Sequence, residues 1–389
     1  MSKMTQGIYT RAIHGDLTPD SATGSILTPI YQTTTYVQDA VGVHKGFTYS
    51  RGANPTVAAL ENVLGTLEDA PTVCFSTGMA AITTLFLSLL KTGDHVIVSE
   101  VVYGGTVRLF HQVLEQLGIR ASFVDTSRLD SVNDAIEPAT RLIFIETPGN
   151  PTLKLTNIAE VCQLGCPKRI RVAVDNTFLT SLLQPVFELG ADISVLSTTK
   201  YIEGHNASVG GSLATRDQDL LERFRLVRKT IGCIQSPFES WLTLRGLKTL
   251  PIRLQCHSAN ALAIATWLEN HPAVKSVLYP GLESFPQHVL AKLQHKSQGG
   301  MLAFELNAGA PAAIKLMNSV KLCSLAENLG AVETLITHPF SMSHADMPPA
   351  QRNRIGVTDG LVRLSVGLED PADITADLEQ ALAASTKDK

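Results

Sequence analysis

Three short stretches place reactive side chains where an apolar run stops. "ISVL" ends in Ser197, Thr198, Thr199 and Lys200, "RVAV" ends in Asp175, and "TVCF" leads through Ser76 and Thr77 to Gly78 at the head of a helical pattern. Lysine offers an amine that attacks a carbonyl carbon once it has lost its proton. A carboxylate such as Asp175 pairs with a protonated ring nitrogen. The hydroxyls of Ser197 and Thr199, two positions apart, together with the free N–H groups of a helix that starts at a glycine, hold an anion. Taken singly, each feature has an ordinary explanation as a turn glycine, a capping aspartate or a solvated lysine. Together, at three strand ends of one domain, they meet the needs of pyridoxal 5′-phosphate (PLP): an amine for its aldehyde, a carboxylate for its pyridinium and a seat for its phosphate.

The elements that must position these residues are legible from about Val57 onward. Helical patterns alternate with "TVCF", "HVIVSE", "ASFVD", "RLIFIE", "RVAVDN" and "ISVLST", short apolar runs of the kind found in a parallel sheet buried on both faces. This predicts an α/β domain over 57–245. Ligands of open α/β sheets sit beyond the carboxyl ends of the strands, where Glu100, Glu146, Asp175 and Ser197 to Lys200 collect. "ANALAIATWLENHP" reads as a helix, "GGMLAFEL" as a strand and "DITADLEQALAAS" as a closing helix, giving a smaller α+β domain over 246–389. Residues 1–56 are rich in Thr, Tyr, Gly and Pro, with little helical period. So much irregular chain is expected to wrap something.

Bulk properties narrow the partners. The 389 residues exceed what one core organises, and 32 Lys+Arg against 36 Asp+Glu give a net charge of −4 without blocks of like charge. Nucleic acid and anionic membrane are therefore not expected partners, and a small molecule is. Cys74, Cys162, Cys166, Cys233, Cys256 and Cys323 lack zinc-site spacing and are expected to be buried, reduced thiols, with no metal site. The opening "MSKMTQGIYTRAIHGD" has no apolar leader pattern, so a cytoplasmic protein is expected. Neither GxxxxGK[ST] nor a strand-linked GxGxxG is present, which argues against a nucleotide-binding oxidoreductase.

The motifs "TYSRGANPT", "FSTGMAA", "VYGGT", "IETPGNPT", "AVDNTF", "LGADISVLSTTKYIEGH", "RGLKTL", "YPGL" and "VRLSVGLED" occur in this order. Over about residues 10 to 383 the chain resembles the Cys/Met-metabolism family of PLP enzymes, which includes cystathionine γ-lyases, γ-synthases and β-lyases and methionine γ-lyases. The resemblance implies an aspartate-aminotransferase-like fold of type I, with a large, mostly parallel, seven-stranded sheet, and a homotetramer built as a dimer of catalytic dimers. It also implies roles. Lys200 is the Schiff-base lysine and proton shuttle, Asp175 the partner of the pyridinium, and Tyr103 the ring that stacks on the cofactor and acts near the leaving group. Asn150 holds the phenolic oxygen. Gly78, Met79, Ser197 and Thr199 seat the phosphate from the same subunit, and Tyr49 and Arg51 from the neighbouring one. Arg363 forks the substrate α-carboxylate, a bidentate task suited to arginine. A catalytically silent homologue would lack Lys200 or Asp175, and both are present.

Four positions bear on which reaction is run. Glu327 matches a glutamate of the cystathionine γ-lyases and γ-synthases, and Gly105 stands where methionine γ-lyases typically carry cysteine. Thr48 replaces an acidic residue common in cystathionine-cleaving members, and Asn328 replaces a serine near the substrate carboxylate. The expected reaction is γ-elimination on a sulfur amino acid, with cystathionine γ-lyase first. Cystathionine γ-synthase, methionine γ-lyase and cystathionine β-lyase stand as alternatives.

Overall fold

In the computed structural model the described residues are 6–345, 347 and 349–386. The first five residues of the expected arm, and 346, 348 and 387–389 of the expected C-terminal domain, lie outside them. The large sheet comprises β1 (Thr72–Phe75), β2 (His95–Ser99), β3 (Arg120–Val124), β4 (Thr140–Glu146), β5 (Arg171–Asp175), β6 (Ile193–Leu196) and β7 (Gly211–Thr215). Its order is β1-β7-β6-β5-β4-β2-β3. The pairs β5–β6, β4–β5, β2–β4 and β2–β3 are parallel, and β7 runs antiparallel to both β1 and β6.

Alternation along the buried strands sends side chains to two helical layers. Val96, Val98, Leu142 and Phe144 join Ala81, Leu85 and Phe86 of the helix Gly78–Leu89 and Phe224 of the helix Gln218–Ile231. Ile97, Ile143, Ile145, Val172 and Val174 face the other way, toward Ile158 and Val161 of the helix Ile158–Gly165. Full burial of each such side chain contributes about 1.5–3 kcal/mol. That anchoring holds the strand ends, and whatever they carry, in fixed register.

The strand β7, "GSLAT", has no counterpart among the sequence expectations. Its residues are all buried, but Gly, Ser, Ala and Thr give little apolar signal. The small side chains have a steric reason: a Cβ at Gly211 would come within 2.7 Å of the Gly78 Cα. A second sheet, of order β10-β11-β12-β9-β8, is formed by β8 (Val274–Leu278), β9 (Met301–Leu306), β10 (Ser324–Leu325), β11 (Leu335–Thr337) and β12 (Leu361–Ser365). The helix expected from "ANALAIATWLENHP" begins earlier, at Leu250, and runs to Glu269; the closing helix spans Pro371–Thr386.

The start of the chain contains one short helix, Ile8–His14, which the sequence reading did not expect. Beyond it, residues up to 54 are irregular, with isolated bridges Thr35–Tyr49 and Ala40–Val43. Ile26, Val37 and Val41 are almost fully exposed. The thiols correct another expectation: all six cysteines are free, but Cys166 is exposed and Cys233 and Cys256 are only partly buried. Among the described residues, no helix is long and apolar enough to cross a membrane.

Candidate active site

The carboxyl ends of the parallel strands open into a cavity of about 760 Å³. Gly78, Met79, Tyr103, Asn150, Asp175, Ser197, Thr199, Lys200, Glu327, Asn328 and Arg363 all line it. The structure thus brings together the candidate site residues from Gly78 to Arg363, and Gly105 and Glu146 line the same cavity. Thr48, Tyr49 and Arg51 are not among the lining residues. Arg51 instead donates from Nη1 to the Lys229 carbonyl at 2.8 Å and lies 5.5 Å from the Tyr49 ring centroid. The Thr48 carbonyl accepts from the Tyr36 N–H at 3.2 Å.

Each lining residue owes its place to the local chain. Thr77 caps the helix Gly78–Leu89, accepting from Ala80 N–H at 2.9 Å, so the first helical N–H groups stay directed at the cavity. A Cβ at Gly78 would meet the Ser197 Cβ at 2.9 Å, so glycine lets this helix start against the loop after β6. The Thr199 hydroxyl donates to the Gly210 carbonyl at 3.1 Å and accepts the Gly210 N–H at 2.9 Å, which ties the lysine loop to the chain entering β7.

Lys200 is held by a chain of side chains. Its Nζ donates to Asn328 Oδ1 at 2.5 Å, Asn328 Nδ2 donates to Asn206 Oδ1 at 2.6 Å, and Asn206 Nδ2 donates to Glu333 Oε2 at 2.9 Å. An ammonium only donates and a carboxylate only accepts, so the two ends fix both amide orientations. Asn206 has φ 55°, a left-handed conformation that asparagine tolerates better than most residues. Burial, then the nearby Arg363 charge, push the Lys200 amine down to about 8.

Asp175 ends β5 and is buried; Thr177 donates to its Oδ1 from the backbone at 3.1 Å and from the hydroxyl at 2.6 Å. Burial outweighs these bonds and pushes the carboxyl up to about 6. Arg363, buried in β12, donates to Asn150 Oδ1 at 3.0 Å, the Asn328 carbonyl at 3.0 Å and Thr337 Oγ1 at 3.2 Å. Its Nε is buried without a hydrogen-bond partner, an unfilled donor of the kind a ligand carboxylate satisfies. Tyr103 is half-exposed at the mouth, and Glu327 is exposed there.

A family model described as Cys/Met metabolism PLP-dependent enzyme matches residues 9–383. The chain belongs to that family. It is 47% identical over 378 residues to the cystathionine γ-synthase of Mycobacterium tuberculosis (97% of either chain). It is 45% identical over 378 residues to the cystathionine β-lyase of Coxiella burnetii (96% of this chain, 97% of that protein). The crystal structure of cystathionine γ-lyase from Lactobacillus plantarum complexed with L-serine superposes with a TM-score of 0.95 at 40% identity, covering 98% of this chain and 100% of the other. The fold is accordingly the type I fold of PLP enzymes, and the chain is a PLP-dependent trans-sulfuration enzyme.

The cavity fits the family's cofactor on observations of its own: a part-buried amine moved toward neutrality, a buried carboxyl one strand away, and a glycine-backed helix start packed against Ser197. The sequence reading gave no role to Asn206, Glu333 or Thr177, all of which hold site residues. The one signal for them was position, since Asn206 follows "STTKYIEGH" and Thr177 follows "AVDN".

Proposed function

We propose that the protein catalyses γ-elimination on a sulfur amino acid, acting as a cystathionine γ-lyase that yields cysteine, 2-oxobutanoate and ammonia. The carrying observation is that one cavity is lined by the buried Arg363 guanidinium, the Lys200 amine and the exposed Glu327 carboxylate. Cystathionine presents an α-carboxylate, a Cα–H and a distal ammonium, one partner for each.

PLP, when bound, supplies an aldehyde for an amine and a ring that withdraws electrons. The rest falls to side chains. Arg363, with its Nε–H unpartnered in the protein, takes the α-carboxylate. Lys200, lowered to about 8, is deprotonated often enough near neutrality to take the Cα proton, while Asn328 Oδ1 keeps Nζ directed at the cavity. Asp175, at about 6, is mainly ionised at neutral pH and pairs with the pyridinium. Arg363 occupies Asn150 Oδ1, which leaves Nδ2 to donate to the phenolic oxygen. Ser197, Thr199 and the N–H groups of Gly78 and Met79 take the phosphate, and Thr199 also braces the loop against Gly210. The Tyr103 hydroxyl hands a proton to the departing sulfur.

Tyr49 and Arg51 complete the phosphate site of a neighbouring subunit, in a homotetramer built as a dimer of catalytic dimers. The exposed apolar side chains of the arm support this. The spans of the two sheets support a division into 1–56, 57–245 and 246–389, and the six free cysteines support a cytoplasmic location. Gly105 leads away from methionine γ-lyase, because a Cβ there would overlap the Tyr103 ring and come within 2.9 Å of the Met79 sulfur. Cystathionine γ-synthase is the second reading, favoured by the 47% identical mycobacterial relative.

Assays on cystathionine, methionine, cysteine and an activated homoserine, with and without added cysteine, decide among these. A γ-lyase releases 2-oxobutanoate from cystathionine; pyruvate instead would show β-elimination, and faster cystathionine synthesis from activated homoserine plus cysteine would show a synthase. Because Glu327 is exposed rather than partly desolvated as a selective carboxylate would be, Glu327→Gln should lower kcat/KM on cystathionine only about two- to fivefold. Activity on methionine, which has no distal ammonium, should not fall.

A further inference from the structure

Glu146 lines the cavity and has no part in the chemistry above. It is the last residue of β4, directly opposite Asp175 in the β4–β5 register, and it is buried. Its two oxygens are used on two different segments. Oε2 accepts the Tyr103 backbone N–H at 2.7 Å, and Oε1 accepts the Asn150 backbone N–H at 3.2 Å. Tyr103 precedes the short helix Gly104–Leu109, and Asn150 sits in the loop after β4. Nearby cations are engaged elsewhere: Lys154 and Arg354 reach Glu100, and Arg363 reaches the Asn150 side chain.

We infer that Glu146 is a positioning residue, whose carboxyl clamps the backbones of Tyr103 and Asn150 to the strand end beside Asp175 and so presets the two walls between which the cofactor ring lies. The inference rests on the reading that this cavity takes PLP. Burial, and then the Asp175 charge one strand away, push the Glu146 carboxyl well above the usual carboxylate range. Two carboxyls side by side in a dry site repel each other when both are ionised, and the two backbone N–H groups on Glu146 offset part of that cost.

Glutamine keeps one acceptor, because its amide oxygen accepts while its nitrogen only donates, so the test is graded. Glu146→Gln should hold one backbone segment and lose the other, with PLP affinity weakened about three- to tenfold by equilibrium dialysis. Glu146→Ala removes both acceptors and should weaken PLP about ten- to thirtyfold. Backbone hydrogen exchange at Tyr103 and Asn150, read by mass spectrometry on the full cofactor-free chain, should speed up on the order of tenfold at both sites in the alanine variant and at one of them in the glutamine variant. Unchanged exchange in the alanine variant would overturn the clamp. A folded glutamine variant with neither site changed would overturn the use of both oxygens. Exchange is measured without cofactor, so the clamp stands or falls separately from PLP use; failure of the unaltered chain to bind PLP would count against the functional reading instead.

Discussion

Arg363→Lys tests the substrate end of the cavity most directly, because it keeps the charge and removes the fork. Arg363 is 4% exposed and lies in the middle of β12, with Thr337 and Ala303 beside it in register. Three of its hydrogen bonds go to Asn150, Asn328 and Thr337, and Nε is left over. Burial lowers the guanidinium to about 10, so it remains charged at neutral pH. A lysine there has one nitrogen for all these acceptors and cannot offer a carboxylate two parallel N–H groups. Losing one charge-assisted hydrogen bond to the substrate costs about 1.5–3 kcal/mol, or roughly ten- to a hundredfold in kcat/KM. The carboxylate is present in both ground and transition states, so the loss should fall mainly on KM. Steady-state keto-acid release measures it, and equilibrium dialysis should show PLP affinity changed by no more than about threefold. A kcat/KM unchanged on every amino-acid substrate would refute the assignment, as would a loss confined to kcat.

Three further outcomes are expected. Arg51→Ala and Lys200→Ala proteins, each inactive alone, should regain activity when their subunits exchange, because one hybrid site then holds both residues; exchange shown by mass spectrometry without recovery would place Arg51 outside any shared site. Gly105→Cys should displace the Tyr103 ring, weakening PLP by about three- to tenfold in dialysis, whereas unchanged affinity would mean that the mouth has room for a side chain. Burial holds His257, His295 and His344 down at about 4, below the unfolded value of about 6.5. Their contribution to stability is therefore complete above pH 6.5 and lost as pH falls through 4. Urea unfolding of His295→Gln should show a pH slope reduced by about one proton over that window, and an unaltered slope would contradict a neutral buried His295.

The large sheet was legible because its strands are apolar on both faces and end in reactive residues, so "RVAVDN" and "ISVLST" announced both a strand and a site. β7 was not, since Gly211 lies close to Thr77 and Gly78 and the small residues Ser212, Ala214 and Thr215 leave little hydrophobic pattern. The cavity-lining residues likewise came from strand ends and motifs. The bonds that hold them did not. Asn206 is 122 positions from Asn328, and Glu146, placed at a strand end by its sequence, is 43 from Tyr103; hydrogen bonds across such separations exist only once the sheets have placed their partners. The tie between Thr199 and Gly210 was illegible for the same reason: a hydroxyl's protein partner depends on which backbone lies beside it.

This division explains why relatives named for different reactions remain about equally similar to the chain. The residues proposed for the cofactor and for proton transfer are mostly buried or part-buried at strand ends and loops that pack directly on the cores. A change there disturbs register or leaves a polar group unpaired, at a cost of several kcal/mol. Glu327 and Tyr103 are exposed at the cavity, and Thr48 lies on the exposed arm, where a substitution perturbs little of the fold. Discrimination between γ-elimination, γ-replacement and β-elimination depends on how a substrate's distal half is held while one base moves protons between its carbons. With the α-carboxylate on Arg363, as proposed, that half lies toward the mouth. On this proposal few residues carry the choice of reaction within a scaffold whose overall identity does not report it, and substitutions at Glu327 and Thr48 should alter substrate preference while leaving PLP-independent stability nearly unchanged.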